Sequence, residues 1–447
     1  MQIEYIALGD TDRIGPSAHY LRLGEWGILL DAGLDPGSGK SDKVPDYERI
    51  KNLPVNAVII SHAHLDHLGS LPVALGYFPH ARVYMTPATA AISEVMLFHY
   101  LRVQQRRSME EKIRFSPLYS QEDAENILYL FQSFGYNIPF KIHSFEESNI
   151  EITFRDAGHI LGAAGVEINW QGIKIFYTGN TKKSPQFFLK GGSYPASADV
   201  LITETTYGAD GEAPRLKKAA EVNRFARFLD ERLKRGGAVL IPVFALGRTQ
   251  EIMVLLHRLI QRSKVTAVPV YITGFGNEIN KIYDRQLHKV YPEYRTKRLH
   301  SIVYNTLRGK RFRKPSIILA TSGMMLPNTL SYEIAGDFLL EPRNGIAFVG
   351  WADPDTPGGS LREMKMEKVK SIFGVDQILC GMEIFHFSAH SNREELLDLV
   401  RRLSARKTIL CHGEIAALNW MENAIRERGL SKQVCVPKRG EPVLIEL

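Results

Sequence analysis

Short apolar runs and period-two alternation open the chain and predict strands over residues 2–8, 18–23 and 27–31, followed by the buried run Val55-Asn56-Ala57-Val58-Ile59-Ile60. The pattern then lengthens to a helical period. Residues 87–107 place Ile92, Val95, Met96, His99 and Val103 on one face. A second helix, 121–134, follows Ser120 with Asp123 three residues on and stops at Gly135. Strands return at 150–156, 163–170, 173–178 and 200–203, with Gln171-Gly172 turning the middle pair as a hairpin.

Past Gly208 helices and strands alternate: helix 214–235 stopped by Gly236-Gly237, strand 238–243, helix 247–262, strand 268–273, a helix from residue 277, then strands 316–320 and 345–350. Apolar, β-branched strands in such alternation imply a parallel sheet covered by helices. From residue 372 the chain resumes with strand 376–386, helix 392–404, strand 407–411 and helix 414–428. The cluster Asp353-Pro354-Asp355-Thr356-Pro357-Gly358-Gly359 is the best candidate for a crossing between lobes.

A length of 447 residues exceeds one hydrophobic core and fits two lobes, or one domain with a large insertion. The 44% hydrophobic and 23% charged content is that of a globular protein, and the lack of an 18-residue apolar stretch argues against a membrane partner. Met1-Gln2-Ile3-Glu4-Tyr5 has neither the basic region nor the apolar core of a secretory signal, so a cytoplasmic location is expected. Cys380, Cys411 and Cys435 are odd in number and lack C-x-x-C spacing, which argues against a disulfide framework and a structural zinc knuckle. The net charge of +7 is compatible with a polyanionic partner.

Ser61-His62-Ala63-His64-Leu65-Asp66-His67 packs three imidazoles and a carboxylate directly after a buried strand. A strand end sets His62 and His64 on the same side, while Asp66 and His67, at the start of the next helix, face a second point. Imidazole with carboxylate suits Zn²⁺ first and Mn²⁺ second. Four residues are too few for two divalent ions, and further donors stand at other strand ends: His159 in Gly158-His159-Ile160-Leu161-Gly162, Asn180 after Phe176-Tyr177-Thr178-Gly179, and His412 after Ile409-Leu410-Cys411. Asp31, ending Ile28-Leu29-Leu30, is placed to orient a ligand histidine.

His62-x-His64-x-Asp66-His67 with Asp31, His159 and His412 resembles the metallo-β-lactamase fold. Glu204 in Thr203-Glu204-Thr205-Thr206, His390 in Ser388-Ala389-His390-Ser391, and His412 resemble the additional motifs of its nucleic-acid-processing β-CASP branch. The likeness runs on through Ile241-Pro242-Val243-Phe244-Ala245-Leu246-Gly247-Arg248 and Ala320-Thr321-Ser322-Gly323-Met324, and so covers almost the whole chain. It is similar in kind to the short members without appended RNA-binding domains, which resemble the endonuclease subunit of the pre-mRNA 3′ cleavage complex and its prokaryotic relatives.

The resemblance implies an α/β architecture: an αββα sandwich from residues 1–207 and 372–447, an inserted α/β β-CASP lobe over 208–371, and a site in the cleft they form. By position, His62, His64 and His159 would hold one ion and Asp66, His67 and His412 the other. Two such ions would share a hydroxide and clamp the attacking and leaving oxygens at phosphorus. His390, held charged by Glu204, would protonate the leaving 3′ oxygen, and Asp66 would serve the chemistry as well as the metal. The implied activity is endonucleolytic hydrolysis of single-stranded RNA. A 5′ exonuclease mode, DNA as substrate and a homodimer stay open. A small-molecule hydrolase is disfavoured, since the inserted lobe and the Glu204/His390 pair have no role there.

One position departs from the family pattern: Asn180 stands where a bridging aspartate belongs. An amide lends a carbonyl oxygen but no charge, so the repulsion between two cations is less compensated. An engineered inactivating change, a natural variant of reduced activity or altered metal preference, and a nucleic-acid-binding scaffold are the three readings. Arg308, Lys310, Arg311, Arg313 and Lys314 form one basic run, and Arg102, Arg106, Arg107, Lys112 and Arg114 another. Both fit phosphate neutralisation or a solvated surface equally well. Gly247-Arg248-Thr249 opens a helix where N–H groups could receive a phosphate, without the Lys-Ser/Thr ending of a nucleotide-binding loop. The remaining histidines, His99 and His386 among them, read as packing or surface.

Overall fold

Two seven-stranded sheets carry the termini of the chain. The first runs in the order β20 (Pro442–Ile445), β1 (Ile3–Ala7), β2 (His19–Leu23), β3 (Trp26–Leu30), β4 (Ala57–Ile59), β5 (Arg82–Met85), β6 (Phe131–Ser133). The second runs β19 (Gln433–Cys435), β18 (Lys407–Cys411), β11 (Val200–Glu204), β10 (Ile173–Tyr177), β9 (Ala164–Trp170), β8 (Glu147–Asp156), β7 (Phe140–His143). A computed structural model provides these positions and describes residues 3–35, 43–111, 117–143, 147–212, 217–291, 299, 302 and 304–446.

Tyr5, Leu21, Ile28 and Ile59 from the first sheet meet Phe154, Val166, Ile168, Ile175, Ile202 and Ile409 from the second in one buried core. The alternate residues Leu29, Val58 and Val83 are also fully buried, the mark of a sheet covered on both faces. Between β4 and β6 the chain forms α1 (Leu65–Leu68), α2 (Leu71–Tyr77), α3 (Pro87–Glu111) and α4 (Gln121–Leu128). On the outer face of the second sheet, Phe176, Leu201 and Leu410 pack with Leu396, Leu397 and Val400 of α11 (Arg393–Leu403) and Leu418 and Met421 of α12 (Ile415–Glu427). The sequence dictates α11 closely. Asn392 and Glu395 form a reciprocal cap, acids fill the first turn, Arg401 and Arg402 the last, and Ser404 ends it in the left-handed region.

The chain folds as two compact units: residues 1–185, 190–211 and 390–447 in one, residues 186–189 and 212–389 in the other. The second unit holds a six-stranded sheet in the order β14 (Asn305–Leu307), β13 (Val270–Thr273), β15 (Ser316–Ala320), β12 (Ala238–Pro242), β16 (Gly345–Phe348), β17 (Gly381–Ile384), with parallel pairings throughout. Its helices are α5 (Lys218–Lys234), α6 (Arg248–Gln261), α7 (Gly274–Val290), α8 (Leu330–Leu339), α9 (Pro357–Arg362) and α10 (Met366–Phe373). Val239, Ile241, Ile317 and Leu319 bury one face against α5 and α6, and Leu240, Ile318 and Ile346 bury the other against α8.

Several expectations shift. The helix expected over 121–134 ends at Leu128, because residues 131–133 pair with β5 and extend the sheet. Ile92 and Met96 are buried as expected, but Val103 is exposed, and Leu97, Tyr100 and Leu101 are buried on that helix as well. Residues 372–389 lie in the second unit, where β17 pairs in parallel with β16. The Asp353–Gly359 cluster is not a crossing: it lies within the second unit, and Thr356 caps α9 there. Lys112 and Arg114 lie outside the described residues.

Candidate metal centre

β3 and β4 run parallel, as do β10, β11 and β18, so their carboxyl ends can deliver loops to one edge of the sandwich. Asp31 leaves β3, His62 and His64 follow β4, Asp66 and His67 ride on α1, His159 sits between β8 and β9, Asn180 follows β10, Glu204 ends β11 and His412 follows β18. Two of these joints have left-handed backbone at ordinary residues, Asp31 at φ 63° and His412 at φ 49°. Such conformations cost roughly 1–3 kcal/mol each and persist where surrounding structure fixes them. Gly158, at φ 71°, passes so close to Lys182 that a Cβ would stand 2.4 Å from its carbonyl oxygen, and that approach admits His159 to the centre.

Two donor groups form. His62 Nε2 and His159 Nε2 each lie 3.1 Å from His64 Nδ1. His412 Nε2 lies 3.2 Å from His67 Nε2 and 3.3 Å from Asp66 Oδ2. The His62 and His67 rings, one from each group, are 4.1 Å apart between centroids. Three imidazole nitrogens turned on one another are better read as lone pairs converging on a cation than as hydrogen bonds. Nitrogens 2.0–2.1 Å from a tetrahedral Zn²⁺ would be about 3.3 Å apart. A further donor points the same way: Asn180 is buried and its Oδ1 has no hydrogen-bond partner. The residues present therefore fit a divalent metal.

Behind the donors, Asp31 is saturated. Oδ1 accepts from the Ser61 backbone N–H at 2.6 Å, and Oδ2 accepts from Ser61 Oγ at 2.8 Å, His67 Nδ1 at 2.7 Å and Tyr177 Oη at 2.7 Å. Ser61 Oγ also lies 3.0 Å from His62 Nδ1, and Thr206 Oγ1 lies 3.2 Å from His412 Nδ1. The outward nitrogens of three rings are thus engaged, which fixes Nε2 as the inward atom. Burial drives His62 well below the usual histidine range, and the neighbouring imidazoles add to it. Burial also lowers His67, but Asp66 and Asp31 outweigh it and raise its proton affinity, the basicity a ligand needs. For Asp66, burial is overcome by His67 and His412, which hold the carboxylate well below its ordinary range.

Beside the first group stands His390, its ring 4.6 Å from that of His159. His390 Nδ1 is 2.8 Å from Glu204 Oε2, and Thr181 N–H donates to Glu204 Oε1 at 2.5 Å. Burial raises the Glu204 carboxyl, yet the charge and hydrogen bond of His390 prevail and hold it below the usual value. The sequence brought out His62, His64, Asp66, His67, His159, Asn180, Glu204, His390, His412 and Asp31, and all belong to the first unit. Ser61, Thr181, Tyr177 and Thr206 were missed; only Ser61, adjacent to the histidine run, carried a signal. Arg248, Lys310, Arg311 and Arg313 belong to the second unit. Arg248 is buried within the field of Glu251. The other three are exposed, with Lys310 paired to Asp337 at 2.9 Å.

Comparison with known proteins places this geometry. A metallo-beta-lactamase superfamily domain matches residues 20–205, a Beta-Casp domain residues 249–361, and a Zn-dependent metallo-hydrolase RNA specificity domain residues 377–437. The chain carries a metallo-β-lactamase domain, a Beta-Casp domain and an RNA specificity domain in that order. Endoribonuclease YSH1 of Saccharomyces cerevisiae is 28% identical over 94% of this chain and 56% of its own length. Transcription termination factor FttA of Methanothermobacter thermautotrophicus is 29% identical over 91% of this chain and 66% of its own. The RNase J-like protein of Methanocaldococcus jannaschii is 27% identical over 91% of both. The chain thus spans little more than half of its yeast relatives, such as the 56% of the Candida glabrata endoribonuclease YSH1. A solved structure of a protein of unknown function from Enterococcus faecalis shares the fold, with a TM-score of 0.56 at 13% identity over 99% of this chain and 100% of that one.

Proposed function

We propose that this chain is a metal-dependent nuclease that hydrolyses phosphodiester bonds of single-stranded RNA, with His62, His64 and His159 holding one divalent ion and Asp66, His67 and His412 a second. Zn²⁺ is the first choice and Mn²⁺ the alternative, from the imidazole-rich donor set. Bound ions would supply Lewis acidity toward water and toward the oxygens on phosphorus. The observation that carries the reading is the Glu204–His390 pair at 2.8 Å, set against the His159 ring. An alkoxide is a poor leaving group and needs a proton as the P–O bond breaks. His390, donating Nδ1–H to Glu204, can release its Nε2 proton to that oxygen. The RNA specificity domain and the endoribonuclease names of the relatives favour RNA. The exposed cations Lys310, Arg311 and Arg313 suit backbone phosphates.

A second reading, a catalytically attenuated RNA-binding scaffold, is favoured by the neutral, unpartnered Asn180 Oδ1. Cleavage of labelled single-stranded RNA and DNA, titrated with Zn²⁺ and Mn²⁺, separates the two. Asn180→Asp restores a charge between two cations at nearly constant volume, so it should raise cleavage on the order of a thousandfold. His390→Ala in that background should remove the gain. If the aspartate form binds two ions and cleaves neither polymer, the nuclease reading is wrong.

A further inference from the structure

Three residues beyond His390, Arg393 opens α11 and lays its side chain against α12. Its guanidinium carbon lies 4.5 Å from the centroid of the Trp420 ring. Beside it passes Gly211, in the segment that follows β11, where a Cβ would stand 3.1 Å from Nη1. Arg393 is half-buried, and its Nε is shut off from solvent with no hydrogen-bond partner. Other cations on these two helices find acids: Arg401 pairs with Asp398, Arg426 with Glu422 and Arg428 with Glu394. Among the described residues no carboxylate lies within ion-pair distance of Arg393.

Its placement ties this cation to the chemistry. Ser391 N–H donates to the Thr181 carbonyl at 2.7 Å, and Thr181 N–H donates to Glu204, the partner of His390. Asn392 caps α11, its Oδ1 accepting from Glu395 N–H at 3.0 Å. The start of the helix is thereby fixed against the acid–base pair, and three peptide units keep the Cα atoms of His390 and Arg393 within about 11 Å of each other. The Tyr207 ring is 6.0 Å from that of His390, so the segment that passes the imidazole goes on to pass the guanidinium at Gly211. A guanidinium laid on an aromatic ring is held in one orientation with its N–H edge in plane, the geometry that grips two oxygens of one phosphate. A cation partly withdrawn from water without a counter-charge is costly, and a bound anion removes that cost.

We propose that Arg393, stacked on Trp420, is a binding residue for the RNA backbone and receives the phosphate next to the scissile one on its 5′ side, where His390 meets the leaving 3′ oxygen. The inference rests on the proposed function, which sets His390 at that oxygen. The flanking phosphate keeps its charge as the bond breaks, so Arg393 holds ground state and transition state alike. Its loss therefore raises KM and leaves kcat. An arginine that served only to cover Trp420 would change neither KM nor the response to salt.

The test takes the full chain and a labelled single-stranded RNA whose cleavage position has been mapped, with a thermal melt to confirm that each variant folds. Arg393→Gln should raise KM about tenfold with kcat within about twofold of wild type. In binding, it should flatten the slope of log affinity against log salt by about 0.7, the share of one phosphate contact on a single strand. Arg393→Lys keeps the charge but not the two-pronged edge, so it should retain the slope and raise KM about threefold. With one neutral methylphosphonate linkage immediately 5′ of the cleavage site, wild type and Arg393→Gln should have the same KM; with that linkage on the 3′ side the tenfold gap should persist. Arg393→Gln equal to wild type in KM and salt slope, or a gap that survives the 5′ linkage, would overturn the contact and leave the nuclease reading standing. RNA bound with an Arg393-dependent slope but never cleaved would uphold the contact and overturn the nuclease reading. A wild-type chain that binds no RNA would overturn both.

Discussion

In the first unit the buried carboxylates Asp31 and Glu204 accept from the imidazoles of His67 and His390, whereas in the second unit the buried Glu251 accepts from the backbone N–H groups of Phe187, Phe188 and Leu189. Burial raises both glutamates. At Glu204 the His390 charge outweighs it and the carboxyl falls below its usual range; at Glu251 three amides and Arg248 do not, and the carboxyl rises. A buried acid is therefore no sign of chemistry by itself. Its partner decides: a titratable ring makes an acid–base pair, while backbone amides make a clasp that ties residues 186–189 into the second unit.

The sharpest way to break this contrast is to remove one donor from each unit. His64→Ala takes the nitrogen shared by His62 and His159 out of the first group, and should lower zinc content and reduce RNA cleavage on the order of a thousandfold or more. Glu251→Ala should cost roughly 3 kcal/mol of stability, read by urea denaturation, because three buried N–H groups lose their acceptor. Zinc content should stay at the wild-type level, since Glu251 belongs to the clasp and not to the centre.

The smallest effect is on pH. A carboxyl whose folded pKa lies above its unfolded value stabilises the fold fully below the unfolded value and loses that contribution as pH rises through the folded one. Burial places Glu251 in this class. Stability of wild type minus that of Glu251→Gln should accordingly fall as pH rises above the ordinary glutamate range, by at most about 1.4 kcal/mol per pH unit. A difference that rises with pH would show that the amides, not burial, govern this carboxyl.

The legible part of the molecule was local. His62 to His67 declared itself because strand, turn and helix start fall within one short segment, and strands 316–320 and 407–411 match their apolar runs residue for residue. His159, Glu204, His390 and His412 needed their places at element ends and the family likeness together. Three- and four-residue edge strands such as β6, β7, β19 and β20 are too short to show a period, and partner strands create them. Tyr177 lies 146 residues from Asp31, and nothing in the sequence announces that contact.

Anomalous diffraction at the zinc edge from crystals grown with the wild-type chain and Zn²⁺ is the most direct test of the central claim. The account predicts two peaks, one within bonding distance of His62, His64 and His159 and the other of Asp66, His67 and His412. Crystals with zinc elsewhere and none at these six side chains would contradict it.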